Sequence, residues 1–246
     1  MKWDNILQQW FVHVQWILFS LLALLAALLL AWQVLAKTNF WYPLWYDVLK
    51  IDQTIATYGP KNRYRNRFET TTKTERARLF SKLVEAIHQQ GRGLETLVYH
   101  DAKGRPIASF LTPPEILHLR DVARLIDLSL ATGWGALLLL PVLIGLLALQ
   151  KQPMPSLSRL LLRIILGLVV IGGTILLIGP VKVFYSLHTW LFPEEHPWFF
   201  YYEDSLMTML MQAPAIFGYI TLTLAALGML FLLGILVLAK KCYPRF

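Results

Sequence analysis

Four long apolar stretches separate the polar segments of the chain, and they fall within residues 1–36, 126–149, 160–180 and 213–239. Each is about as long as the roughly 20 apolar residues that a helix needs to cross the hydrocarbon core of a bilayer. Pro141 and Gly167 lie inside two of them, and such residues are tolerated in spanning helices because neighbouring groups satisfy the freed backbone. The pattern therefore predicts four transmembrane helices.

The composition supports this prediction. Hydrophobic residues make up 56% of the 246 residues and charged residues only 15%, against about 25% in a typical soluble domain. The mean hydropathy of +0.50 argues against both a disordered chain and a soluble enzyme. A single cysteine, Cys242, excludes an intramolecular disulfide and a cysteine-based zinc cluster. No nucleic-acid partner is expected, because topology accounts for the net charge of +8.

Charges in the short loops predict the orientation. The links at 150–159 and 240–246 carry lysine and arginine without any acid, and Arg245 is part of that C-terminal tail. The link at 181–212 instead holds Glu194, Glu195, Glu203 and Asp204. Basic loops stay in the cytoplasm, so both termini are predicted to be cytoplasmic. The basic segment at 37–125 is then extracytoplasmic, which the rule permits for loops longer than about 60 residues.

The first apolar stretch is longer than the core of a usual signal peptide, so we expect it to be a retained anchor. It begins near residue 14, and the segment before it carries apolar side chains among polar residues, which predicts an interfacial start to the helix: Trp3, Ile6, Trp10 and Phe11.

Segment 37–125 has the patterns of a small folded domain. The aromatic group at 40–46 is interpreted as a membrane-interface belt, and residues 47–58 as a short helix. The basic stretch at 58–68 is interpreted as solvated charge, with contact to anionic headgroups or the binding of a phosphate as the alternative. Residues 73–90 have the period of an amphipathic helix. Residues 94–100 and 106–111 are predicted to be two strands joined by a turn, which form a β-hairpin.

The fold class predicted is an all-α membrane bundle of four transmembrane helices with a small α+β extracytoplasmic domain between the first and second helix. The first half of the chain is expected to divide into an N-terminal interfacial segment with the first span (1–36), the extracytoplasmic domain (37–125) and the second span (126–149). A cytoplasmic loop (150–159), the third span (160–180), an extracytoplasmic loop (181–212), the fourth span (213–239) and a cytoplasmic tail (240–246) follow.

The segment before the second span carries a helix start. Thr112 and Glu115 have the spacing of a capping box, and Pro113 stands at the first helical position. Helical spacing then puts Glu115, His118 and Asp121 roughly along one side. A carboxylate beside an imidazole can fix its tautomer and raise its basicity. His118 is therefore a candidate acid or base, with solvated residues on a helix as the alternative.

A second histidine, His188, follows the third span at about the same depth as His118. Two histidines with acids nearby favour general acid–base chemistry. A metal site made of His118, His188, His196 and Asp204 is a weaker alternative, because no close ligand pair such as H-E-x-x-H is present. No serine lies in a G-x-S-x-G elbow. Neither a covalent nucleophile, a metal nor a cofactor is expected.

The segments around both histidines resemble the bacterial lipoprotein intramolecular transacylase (Lit) family. Glu115-Ile-Leu-His118-Leu-Arg-Asp121-Val resembles that family's E-x-x-H-x-x-D-V segment, and Phe184-Tyr-Ser-Leu-His188-Thr-Trp-Leu-Phe resembles its second histidine segment. The pattern continues toward the fourth span through further residues: Trp198, Asp204, Leu206, Pro214 and Phe217. Residues 193–197 look like an insertion relative to the family.

The resemblance implies an acyltransferase of the bacterial cytoplasmic (inner) membrane, whose active site faces outward among membrane lipids. It would move the sn-2 acyl chain of a lipoprotein's diacylglyceryl cysteine to the α-amine of that cysteine, giving an N-acyl lyso-lipoprotein. His118 and His188 would be the catalytic residues, and a further set would support them: Glu115, Asp121, Arg120, Trp198 and Asp204. Arg120, Arg124 and Trp198 are the candidate donors for the oxyanion.

Two other functions remain open from the residues. A metal-dependent membrane lipid hydrolase could use the same histidines, and it would be sensitive to chelators. A non-enzymatic sensor or scaffold would have His118 and His188 far apart, or packed without a cavity.

Overall fold

The computed structural model describes residues 2–244, and the side chains of residues 10–244. The predicted interfacial residues Trp3 and Ile6, and Arg245 of the tail, lie outside the described side chains. Helices dominate, with one hairpin and short 3₁₀ turns between them. In chain order, the elements are α1 (Lys2–Lys37), α2 (Tyr42–Val48), α3 (Ile51–Tyr58), α4 (Lys73–Ile87), β1 (Val98–His100), β2 (Pro106–Ser109), α5 (Pro113–Leu149), α6 (Leu157–Ile178), α7 (Pro180–Leu191), α8 (Leu206–Met211) and α9 (Ala215–Cys242).

Four of these helices are long and apolar enough to cross a membrane: Trp10–Lys37 of α1, α5, α6 and α9. The predicted number of spans and the α-helical fold class are confirmed. The helix that starts at the capping segment runs into the second span as predicted, because α5 continues unbroken from Pro113 through Pro141 to Leu149. The predicted domain boundaries stay a prediction.

The chain divides into two compact units. The helical unit comprises Met1–Gln33, Ser129–Phe184 and Leu224–Phe246. The polar unit comprises Val34–Leu128 and Tyr185–Thr223.

In the helical unit, small residues allow close packing around α1. A Cβ added at Gly133 of α5 or Gly228 of α9 would come within 2.9 Å of Leu29 or Leu28 respectively. A side chain at Gly133 would clash with Cβ of Leu29 and push the two helices apart, whereas at Gly228 the end of the Leu28 side chain could move away. Most apolar side chains of α6 are exposed, with Leu177 at 91%. Such exposure suits a helix whose outer face is covered by lipid rather than by protein.

The polar unit has its own core, built from α2, α3, α4, the hairpin and α8. Tyr42 is fully buried, stacks on Phe80 with ring centroids 4.0 Å apart, and donates to the carbonyl oxygen of Leu210 at 2.8 Å. Phe40 and Tyr46 are buried as well. The interpretation of residues 40–46 as an interface belt is therefore wrong for these three, because their rings supply much of the apolar area that so small a core needs.

The predicted amphipathic helix and the predicted hairpin of the polar unit are confirmed. Helix α4 buries Leu79 and Leu83, and the side chain of Thr72 caps it by accepting from the backbone N–H of Glu75 at 3.1 Å. The strands β1 and β2 pair antiparallel. Residues 47–58, predicted to be one short helix, hold instead the end of α2 and the whole of α3, because Lys50 between them adopts the left-handed conformation with φ of 53°.

The basic stretch at 58–68 is not simply solvated. Arg65 donates from Nε to the carbonyl oxygen of Ser109 at 2.7 Å, which fastens the stretch to the hairpin. Arg63 lies against Asp204, with Nε 2.8 Å from Oδ1. These guanidinium groups have multiple donors and find acceptors from distant parts of the same unit, a pairing that local sequence does not reveal.

Candidate active site

The first turn of α5 begins as the capping-box spacing predicts. The carboxylate of Glu115 accepts from the backbone N–H and from the hydroxyl of Thr112, each at 2.6 Å. Helix α5 begins at Pro113, whose missing N–H costs nothing at this position. The start of the helix that carries His118 is thus firmly fixed.

Glu115 is 1% exposed, and the hydrogen bonds of its carboxylate go to Thr112 and Ser205 rather than to His118. Its second oxygen accepts from the hydroxyl of Ser205 at 2.5 Å, and Ser205 in turn caps α8 by accepting from the backbone N–H of Thr208 at 2.9 Å. The expected support of His118 by this carboxylate takes another form: Glu115 joins the start of α5 to the start of α8.

The imidazole of His118 packs among aromatic rings. Its centroid lies 5.0 Å from that of Phe192 and 6.0 Å from that of Phe200. Its Nδ1 atom is buried and has no hydrogen-bond partner within the part of the chain that the structure describes. A buried polar atom without a protein partner is unusual, and a catalytic role is one of the recognised explanations for such an atom.

His188, on α7, packs on the same ring. Its centroid lies 5.4 Å from Phe192 and 4.7 Å from Trp198. The structure therefore brings together the two histidines that the sequence predicted to be close, with Phe192 as their shared contact. Their catalytic roles stay predictions.

Asp121 is 8% exposed, and its carboxylate turns to a third histidine. Its Oδ2 lies 2.5 Å from Nδ1 of His196, and its Oδ1 accepts from Arg124 at 3.2 Å. The expectation that Asp121 stands beside His118 on one helix side misses this pairing. Residues three apart differ by about 60° around a helix, so Glu115, His118 and Asp121 turn toward different neighbours.

The other predicted supporting residues have partners of their own. Arg120 is paired with Glu95, in the segment before the hairpin. Asp204 is bound by Arg63, whose Nη2 donates to Oδ2 at 2.9 Å. Trp198 contacts His188 as described above. The roles of these residues stay predictions.

The sequence did not single out Phe192 or Ser205 as site residues, and it named His196 only as a ligand of the weaker metal alternative. Phe192 was named only as the last residue of the second histidine segment, and Ser205 has no local signal beyond the α8 cap that it forms. His196 stands between Pro193 and Trp198, and its partner Asp121 is 75 residues away.

The metal alternative can be compared with the geometry. Among residues 10–244 no group of three histidine, cysteine, aspartate or glutamate side chains is arranged to hold a metal ion. Asp204, one of the four suggested ligands, forms a salt bridge with Arg63.

Comparison with known proteins identifies the family of the chain. The model of the family Lipoprotein intramolecular transacylase Lit matches residues 17–213, which include all three histidines of the site. This chain belongs to the Lit family. The predictions of the family, of an acyltransferase and of an integral membrane protein are thereby confirmed.

Solved structures support the fold of this Lit-family chain. Two structures of the membrane integral lipoprotein intramolecular transacylase Lit from Bacillus cereus carry a histidine substitution. The histidine-to-arginine form is 17% identical over 99% of this chain and 95% of that chain, with a TM-score of 0.63. The histidine-to-alanine form is 16% identical over 98% and 95%, with a TM-score of 0.64. A comparison with curated protein sequences found no match.

Proposed function

We propose that this Lit-family protein transfers the sn-2 acyl chain of a lipoprotein's diacylglyceryl cysteine to the α-amine of the same cysteine. One observation carries the proposal. His118 of α5 and His188 of α7, which are far apart in the sequence, pack against the same ring, that of Phe192. Two imidazoles in one aromatic cluster supply the acid and base that this reaction needs.

The chemistry requires two proton transfers and no nucleophile from the protein. The α-amine nitrogen attacks the sn-2 ester carbonyl and forms a C–N bond, while one imidazole takes a proton from the nitrogen. The tetrahedral intermediate then breaks its C–O bond, and an imidazolium returns a proton to the departing glyceryl oxygen. An amide and a free hydroxyl result, so atoms and charge balance within one substrate molecule.

The residues around the histidines suit this scheme. Nδ1 of His118 is buried without a protein partner, so it is available to a polar atom of a bound substrate. Amine and ester belong to one molecule, and holding them side by side removes much of the entropic barrier. Phe192 packs on both imidazoles and Trp198 on that of His188, which limits the orientations of the two rings. Arg120, Arg124 and Trp198 remain the candidates for stabilising the oxyanion.

We further propose that both termini are cytoplasmic and that the polar unit is extracytoplasmic, in the inner membrane of a bacterium. The support is the distribution of lysine and arginine, which favours residues 150–159 and 240–246 on the cytoplasmic side. A lipoprotein carrying its diacylglyceryl group in the outer leaflet would then reach the histidines without crossing the membrane.

The test uses the purified full-length protein and a synthetic diacylglyceryl lipopeptide with a free α-amine. Because the reaction is an isomerisation, the intact mass stays constant and tandem mass spectrometry must locate the acyl chain. We expect N-terminal fragments to gain the acyl group while the glyceryl fragment loses it. Release of free fatty acid without an N-acyl product would instead indicate a hydrolase, and inhibition by a chelator would favour its metal-dependent form.

A further inference from the structure

The hydrogen bond between His196 and Asp121 takes no part in the proposed acyl transfer. His196 belongs to the loop at 193–198, which joins the segment of His188 to the rest of the polar unit. Within this loop Pro193, Glu194, Glu195 and Pro197 are exposed, whereas His196 is half-buried because its imidazole turns inward to Asp121. The imidazole thus anchors an otherwise exposed loop.

Both ends of the loop contact the candidate catalytic histidines. Phe192, immediately before it, packs on His118 and on His188. Trp198, at its end, packs on His188 with ring centroids 4.7 Å apart. Any displacement of the loop would therefore move the rings that orient both imidazoles.

The anchor point belongs to the helix of His118. Asp121 lies one turn after His118 on α5, and its carboxylate is buried. A position on a helix is fixed more precisely than one on a loop. A hydrogen bond from an imidazole to a carboxylate is among the stronger side-chain bonds, so it can hold a short loop in place.

We propose that the bond between Asp121 and His196 holds the loop at 193–198 against His118 and His188, which makes His196 a positioning residue of the site. This inference rests on the proposed acyl transfer for its effect on turnover, but the loop can be observed without any reaction. His196 is not assigned a proton transfer of its own.

The experiment compares three variants of the full-length protein with wild type on the synthetic lipopeptide. His196→Ala removes the bond, and His196→Asn keeps a side-chain N–H at the place of Nδ1 but has no titratable ring. Glu195→Ala is the matched control, because Glu195 is an exposed neighbour in the same loop. We expect kcat to fall about tenfold or more for the alanine variant, in line with a lost bond to a charged group. The asparagine variant should stay within about threefold, and the control unchanged.

Hydrogen–deuterium exchange of residues 193–198 in the same proteins provides a second readout. Exchange should rise in His196→Ala, and it should stay near wild type in His196→Asn and Glu195→Ala. Should His196→Ala not accumulate as folded protein, Asp121→Asn takes its place, because a neutral amide weakens the bond without leaving a buried charge.

The outcomes separate the two proposals. A wild-type protein without transacylase activity would contradict the proposed function, while the exchange data would still decide whether the bond holds the loop. An active wild type with an equally active and equally protected His196→Ala would overturn the positioning role. A His196→Asn variant with normal exchange that is as inactive as the alanine variant would also overturn it, since the imidazole itself would then be required.

Discussion

Ser205 donates a hydrogen bond to the carboxylate of Glu115 across 90 residues of sequence, at a distance of 2.5 Å. The same carboxylate accepts from Thr112, so one buried acid closes the start of α5 and holds the start of α8. Because α5 carries His118, this relationship links the fold of the polar unit to the geometry of the site.

Replacing Glu115 should therefore cost stability. In Glu115→Ala the hydroxyl of Ser205 and the backbone N–H of Thr112 lose their acceptor, and each buried donor left unsatisfied costs about 1–3 kcal/mol. We expect a clearly lower melting temperature in detergent, measured by differential scanning fluorimetry. Glu115→Gln retains an acceptor oxygen and should lie between wild type and alanine. Equal melting temperatures for all three proteins would contradict the linking role.

The histidine variants test the assignment of the site. His118→Ala and His188→Ala should each lower turnover of the lipopeptide by about 10²- to 10⁴-fold, the usual cost of losing a general acid or base. His88→Ala is the matched control, because His88 lies at the end of α4 with Nδ1 2.7 Å from the carbonyl oxygen of Val84. Ser186→Ala should also be tolerated, since Ser186 is exposed and no acyl-enzyme is expected.

These variants must remain folded and membrane-inserted for the comparison to count, which size-exclusion chromatography and fluorimetry establish. Full activity in both His118→Ala and His188→Ala would refute the assignment. Isolation of an acylated form of the protein would point to a covalent mechanism instead.

Much of the local structure followed from the sequence, because short-range patterns determine it. The capping box of Thr112, the period of α4 and the turn of the hairpin each depend on residues within a few positions. The aromatic residues Phe40 and Tyr42 were misinterpreted, because aromatic side chains before a bilayer and aromatic side chains of a small core have the same composition. Only the three-dimensional packing separates the two cases.

The site was predictable in its histidines but not in its connections. His118 and His188 could be paired because each adjoins a spanning stretch at one surface. The bond of Asp121 to His196 could not be predicted, since helix spacing gives the direction of a side chain only to within tens of degrees and the partner lies 75 residues away.

The cluster of Glu75, Arg78 and His100 in the polar unit predicts that the stability of the protein falls in acid. Burial raises the pKa of Glu75, but hydrogen bonds from Arg78 and His100 outweigh it, so that the pKa lies below its ordinary value of 4.5. A carboxylate with a depressed folded pKa stabilises the protein above the unfolded pKa, and this contribution is lost as the pH falls through the folded value.

Thermal unfolding of wild type and Glu75→Gln as a function of pH checks this expectation. The melting temperature of wild type should exceed that of the variant at about pH 7, and the difference should shrink toward about pH 3 as the carboxylate takes up a proton. A difference that is constant across this range would show that the charge of Glu75 contributes nothing.

Reporter fusions test the proposed topology. The basic short loops predict that fusions after residue 246 and within residues 152–158 report a cytoplasmic location, whereas a fusion at the hairpin turn, residues 102–104, reports the opposite side. A periplasmic or extracellular signal at either of the first two sites would overturn the arrangement with both termini in the cytoplasm.

An isotope crossover measurement tests the acyl transfer most directly. Two lipopeptides are mixed with the purified protein, one bearing a deuterated sn-2 chain on one peptide sequence and the other an unlabelled chain on a different sequence. Tandem mass spectrometry should find each N-acyl product with the chain of its own precursor, and His118→Ala should give neither product. Products in which labelled chains appear on the unlabelled peptide, or release of free fatty acid without any N-acyl product, would contradict an intramolecular transfer by this protein.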